Sequence, residues 1–175
     1  MQTKRIAMIS GSFDPVTSGH TDLIRRAAGL FDWVYVAVMS NGEKDSAGSG
    51  MFTYDERLAM LRASCDALAA EGIVNVSAEL CVGLASDFAA AHDVRYIVRG
   101  ARTGTDYDYE ASLASIMKRF DARLETVILP ADPILACVSS TYVRELIKYH
   151  CPIGDAMPTA AAVLARSFFD SRAAH

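Results

Sequence analysis

Gly11-Ser12-Phe13-Asp14-Pro15-Val16-Thr17-Ser18-Gly19-His20 joins small residues, hydroxyls and an imidazole between an apolar run, Ile6 to Ser10, and a segment in which Leu23, Ile24, Ala27 and Leu30 recur at helical spacing. A strand therefore enters a helix through a loop that carries backbone N–H groups to the helix amino end. Unpaired N–H groups and the positive end of the helix dipole point the same way there, which favours an anion. Gly11 and Gly19 let backbone approach a phosphate closely, and His20, in the first helical turn, would carry its ring beside it. The spacing excludes G-x-x-x-x-G-K-[ST] and G-x-G-x-x-G, so neither the P-loop nor the dinucleotide fingerprint is present. A plainer reading also fits the decapeptide: Asp14-Pro15 makes a turn, Ser18 caps the helix and His20 is an exposed first-turn residue.

Two further groups stand at strand ends. Tyr96-Ile97-Val98 runs into Arg99-Gly100-Ala101-Arg102, followed by Asp106, Asp108 and Glu110. Two guanidinium groups three residues apart offer planar donor forks and permanent charge to a polyphosphate, or else they pair with the acids that follow. Val138-Ser139-Ser140-Thr141 opens another helix with more hydroxyls than one cap requires. Three residues after Ser139, Ser140 and Thr141 stand Tyr142, Val143 and Arg144, so no capping box accounts for the cluster.

Short β-branched and aromatic runs alternate with helical periodicity, the form of repeated βαβ units. The expected strands are Arg5 to Ser10, Trp33 to Met39, Val74 to Leu80, Arg95 to Val98 and Glu125 to Leu129. The expected helices are Ser18 to Leu30, Thr53 to Ala70, Leu84 to His92, Thr105 to Phe120, Ser139 to Tyr149 and Pro158 to Phe169. This is an α/β fold: a single doubly wound, Rossmann-like domain over residues 1–175, with a five-stranded parallel sheet, helices on both faces and residues 150–175 as a C-terminal helical extension packed on the outside. Asn41 to Gly50 has the composition of a loop. Nearly continuous apolar strands imply a sheet covered on both faces, with ligands bound beyond the strands' carboxyl ends.

A chain of 175 residues, 51% of them hydrophobic, can bury one sizeable core. Its formal charge of −4 supplies no general basic field for a nucleic-acid backbone, so an anionic ligand must be met by a few local groups and is expected to be small. No stretch approaches the roughly 20 apolar residues of a membrane span, no signal-peptide core follows Met1, and a cytosolic protein is expected. Cys65, Cys81, Cys137 and Cys151 are widely spaced, read as reduced packing residues, and form no zinc-ligand pattern.

GSFDPVTSGH, then RGARTGTDYDYE, then VSSTYVRE together resemble the phosphopantetheine adenylyltransferases of the (H/T)xGH nucleotidyltransferase superfamily, in order from about Ile6 to Ile147. The first motif marks the superfamily; the second and third narrow it. The resemblance implies adenylyl transfer from ATP to 4'-phosphopantetheine, with magnesium as cofactor and a hexameric assembly. It also implies that Ser12 and Phe13 contact the nucleotide, that Ser12 touches the acceptor phosphate and that His20 stabilises the transition state. Gly100, Ala101, Arg102, Glu110, Val138, Ser139, Ser140 and Thr141 would hold ATP, and Arg99 the acceptor. The family's loop lysine corresponds here to Lys44, in a longer loop without the usual proline, and Ala85 stands near the pantetheine arm where a larger apolar residue is common. A related transferase with another phosphorylated acceptor, and a non-catalytic nucleotide-binding protein of the same fold, are the alternatives.

Overall fold

The computed structural model describes residues 4–40 and 50–173, so Lys44 lies outside the described residues. Five strands, β1 (Ile6–Gly11), β2 (Trp33–Ser40), β3 (Val76–Val82), β4 (Tyr96–Ala101) and β5 (Glu125–Pro130), alternate with α1 (Ser18–Leu30), α2 (Tyr54–Ala70), α3 (Ala85–Ala91) and α4 (Gly104–Phe120). Two more helices follow, α5 (Ser140–Lys148) and α6 (Thr159–Ala173). The strands form one parallel sheet in the order β3-β2-β1-β4-β5.

Side chains alternate across the central strand and divide the core in two. Ala7 and Ile9 of β1 point into the larger cluster, with Ile24 of α1, Leu61 of α2, Ile147 of α5, and Ala161 and Ala165 of α6. Met8, between them, points into a smaller cluster with Ala89 of α3, against which Met117 of α4 also packs. Both faces are thereby covered, which is why the inner strands read as continuous apolar runs.

Three expected elements begin or end two residues or more from their expected bounds. The third strand starts at Val76, because the Asn75 side chain is drawn off to donate to the Ala28 and Phe31 carbonyls at the end of α1, leaving Val74 exposed. β4 continues through Arg99 and Gly100 to Ala101, held in register by β5 as far as Pro130, so Arg99 is a strand residue. α6 runs to Ala173, beyond Phe169, and its Ala161 and Ala165 are fully buried in the main core. The C-terminal helix therefore contributes to that core and is more than an outer covering. Among the described residues no helix is long and apolar enough to cross a membrane.

The chain leaves β1 toward one side of the sheet and returns at β4 on the other, so the carboxyl ends of these neighbours form a crevice between diverging connections. Fully buried Ile24 fixes α1 against this region. Replacing Ile24 by Ala should cost about 2–5 kcal/mol of stability. Urea denaturation measures it, and a loss under about 1 kcal/mol would mean that α1 is not anchored as described.

Candidate active site

A cavity of about 520 Å³ opens at that crevice. β1 and the turn after it contribute Ser10 to Phe13; α1 contributes His20, Asp22, Leu23 and Arg26; β4 and the turn after it contribute Arg99, Gly100 and Arg102; the start of α5 contributes Ser139 to Thr141 and Arg144. The amino ends of α1 and α5 lie together: a Cβ built on Gly19 would stand 3.8 Å from the Val138 carbonyl oxygen. Two positive dipole ends thus meet at one site. The charged lining residues are Arg26, Arg99, Arg102 and Arg144 against Asp22 and Glu110, an excess of two positive charges in a chain of formal charge −4. A small, highly charged anion suits such a local field.

His20 is the third residue of α1. The Thr17 backbone N–H donates to its Nδ1 at 3.0 Å, while the Thr17 hydroxyl accepts from the His20 N–H. This reciprocal cap places Thr17, not Ser18, at the head of the helix; the Ser18 hydroxyl donates instead to the Asp155 carbonyl. A backbone N–H can only donate, so the neutral imidazole carries its proton on Nε2. Removal from solvent, then the charges of Arg102 and Arg99, lower the His20 pKa from 6.5 to about 4, although one side of the ring remains open to the cavity. The Phe13 ring packs edge-on against it, with centroids 5.0 Å apart. At neutral pH, then, the cavity wall presents an uncharged Nε2–H donor.

The arginines are held in place by several partners. Arg99 makes a forked contact to Glu110, Nε to Oε2 at 2.6 Å and Nη2 to Oε1 at 2.9 Å, and its Nη1 donates to the Ser10 carbonyl at 2.6 Å. Arg102 is looser: its Nε lies 3.4 Å from Asp106, and its side chain is 42% exposed. Hydrogen bonds from the Arg102 and Thr103 backbone and the Arg102 charge hold the Asp106 carboxyl below its usual range. Both arginines therefore make the ion pairs that their spacing allowed and still line the cavity. A fixed guanidinium with a remaining open edge binds an anion with little loss of side-chain freedom.

Of the expected site residues, Ser12, Phe13, His20, Arg99, Gly100, Arg102, Glu110, Val138, Ser139, Ser140 and Thr141 line this one cavity. Ala101 does not, being a buried end-of-strand residue. Ala85 lines a smaller, mostly apolar cavity of about 80 Å³ with Ile97, Leu113, Ala114 and Met117. Ser10, Arg99 and Glu110 form the wall shared by the two. The three hydroxyls divide their work: Ser139 caps α5, Ser140 donates to the Pro15 carbonyl at 2.8 Å, and Thr141 accepts from Arg144.

A family model described as cytidylyltransferase-like matches residues 8–146. Among curated relatives, a phosphopantetheine adenylyltransferase of Corynebacterium diphtheriae is 41% identical over 158 residues, 90% of this chain and 94% of that one. One of Streptococcus equi subsp. zooepidemicus is 42% identical over 89% of each chain, and one of Brucella ovis is 38% identical over 95% of this chain and 99% of that one. The chain belongs to the phosphopantetheine adenylyltransferase family. In fold, this family member also resembles a solved structure from Vibrio parahaemolyticus described as a nicotinate-nucleotide adenylyltransferase, with a TM-score of 0.60 over 93% of this chain and 99% of that one at 19% identity.

Three cavity residues of this phosphopantetheine adenylyltransferase family member have roles that their sequence contexts did not indicate. Arg26 donates to the Pro130 carbonyl at 2.7 Å and lies 3.3 Å from Asp22, so two α1 residues become part of the site through a contact 104 residues away. Arg144 donates to the Asp14 carbonyl at 2.6 Å. Its distance from the strand end concealed it; the i, i+3 spacing from Thr141 was the available signal.

The lowered His20 pKa has a measurable consequence. Between about pH 6.5 and pH 4 the unfolded chain takes up a proton that the folded ring refuses, so stability falls as the pH falls through this window and is constant above it with respect to this group. Nitrogen NMR of the unliganded protein should show a neutral ring protonated on Nε2 down to about pH 4, and His20→Asn should flatten this part of the stability profile. A ring titrating near 6.5 would contradict the assignment.

Proposed function

We propose that this chain transfers the adenylyl group of ATP to 4'-phosphopantetheine, giving dephospho-coenzyme A and pyrophosphate, by direct in-line attack. An acceptor phosphate oxygen forms the new bond to the α-phosphorus as the bond to the β-phosphate oxygen breaks, and the electron pair leaves with pyrophosphate. The observation that carries the reading is the position of the neutral His20 Nε2–H donor, beside two helix amino ends and within an arginine-lined cavity at the β1/β4 crevice. Such a displacement asks the protein mainly for positioning and for donors aimed at developing charge.

In this mechanism His20 and Ser12, with the N–H groups after β1 that have no acceptor among the described residues, serve the α-phosphate. Phe13 borders the nucleotide. Gly100, Arg102, Glu110 and Val138 to Thr141 hold ATP, with Arg102 and the amino end of α5 on the β- and γ-phosphates, and Ala101 supports them from within the sheet. Arg99 orients the acceptor phosphate with Lys44, and the smaller apolar cavity containing Ala85 takes the pantetheine arm. Arg99 suits the shared position because it borders both cavities.

The cavity's carboxylates, Asp22 and Glu110, each pair with an arginine, and no group of three or more ligating side chains gathers among the described residues. This donor set fits a magnesium ion carried chiefly by the nucleotide's own oxygens and water, where it would neutralise polyphosphate charge. A cytosolic location and homohexameric assembly complete the reading by family resemblance.

Purified protein given ATP, magnesium and, separately, 4'-phosphopantetheine, nicotinamide mononucleotide or glycerol 3-phosphate should release pyrophosphate with the first. Preference for another acceptor would reassign the substrate, and ATP binding without release from any of them would favour a non-catalytic protein. His20→Ala should lower kcat by about 10² or more with ATP affinity little changed. Arg99→Ala should weaken the phosphorylated acceptor more than ATP, and equal losses would contradict its assignment.

A further inference from the structure

We infer that Asp14 and Arg57, with Gly50 above them, are positioning residues that set the orientation of the Phe13 amide in the phosphate loop; this rests on the adenylyl-transfer reading. Both charged groups are buried, at 6% and 5% exposure, and the Arg57 Nε lies 3.4 Å from the Asp14 Oδ1. A buried ion pair is a poor means of stabilising a core, since apolar side chains of similar size serve as well. The bonds of this pair run to backbone. The Asp14 carboxylate accepts the Met51 and Phe52 N–H groups at 3.0 Å each, and Arg57 donates to the Phe52 carbonyl at 2.8 Å and to the Ser12 carbonyl at 3.4 Å. Arg144 also reaches Asp14, donating to its carbonyl at 2.6 Å and lying 3.8 Å from its Oδ2.

The peptide after Ser12 is trans, so with the Ser12 carbonyl turned to Arg57 the Phe13 N–H points away from it. Among the described residues that N–H has no protein acceptor. Phe13 also has φ +44°, a conformation that a bulky side chain holds only when its surroundings enforce it. The pair supplies that enforcement, and it ties the loop carrying Ser12 and Phe13 to the entry of α2, the segment that follows Lys44. Gly50 marks how closely the parts meet: a Cβ there would stand 2.2 Å from the Arg57 Nη2 and 2.2 Å from the Asp14 Oδ2.

The test compares Asp14→Asn and Gly50→Ala with wild type, well below each melting midpoint. Asn keeps the size of Asp14 but brings N–H donors to face N–H donors; Ala pushes the pair apart from an exposed position and carries the test alone if Asp14→Asn does not fold. We expect kcat to fall about 10²-fold, as a misplaced donor near the reacting phosphorus implies, with ATP affinity by calorimetry changed less than about threefold. A purely structural pair would lower the melting midpoint and leave turnover per folded molecule intact, and turnover within threefold of wild type in a folded variant overturns the inference. The ATP-induced shift of the Phe13 amide resonance reads the same geometry without catalysis: large in wild type and lost in the variants. Its persistence in them also overturns the inference. A wild type without turnover would count against the proposed function, and the amide shift would still decide the role of the pair.

Discussion

Because β1 and β4 lie side by side with their connections diverging, the sheet leaves an opening at their carboxyl ends, and among the described residues Arg26, Arg99, Arg102, Arg144 and the heads of α1 and α5 reach that opening. β1 delivers the loop and the head of α1, β4 delivers Arg99 and Arg102, and the chain beyond β5 delivers the head of α5. An acidic protein thereby concentrates positive charge in one place without a basic surface. Dipole ends and guanidinium groups fixed by their own hydrogen bonds need little rearrangement when charge develops on a bound phosphate.

His20 shows how such a site is tuned. Its Nδ1 is committed to the Thr17 backbone N–H, which sets the tautomer, and its burial beside Arg102 and Arg99 keeps the ring neutral. A neutral donor stays compatible with Arg102 and Arg99 beside it, where an imidazolium would add repulsion. The Phe13 ring both shields His20 and belongs to the loop that the Asp14–Arg57 pair holds. Protonation state and loop geometry depend on one small set of residues.

Much of this was legible in the sequence because strand and helix periods are strong signals: α1 begins and ends at Ser18 and Leu30 as expected, and eleven expected site residues line one cavity. What escaped was decided by partners far away in the chain. Arg99 was expected past its strand, yet β5 extends the ladder beyond it. Thr17 displaced Ser18 as the cap because a histidine side chain closes the reciprocal bond usually made by Glu or Gln. Asp14 resembled a turn residue, and its burial against Arg57 depends on a contact 43 residues downstream that no local pattern reveals. The Arg26 contact to Pro130 is hidden for the same reason.

The central claim is a single displacement at the α-phosphorus by an acceptor phosphate, with the protein positioning and never bonding. Its most direct test is the stereochemical course of the reaction, followed with ATP bearing sulfur at a defined position on the α-phosphorus and 4'-phosphopantetheine as acceptor. Inversion at phosphorus in the resulting dephospho-coenzyme A analogue is the predicted result. Retention would mean two displacements through a covalent adenylyl-protein intermediate and would contradict the account.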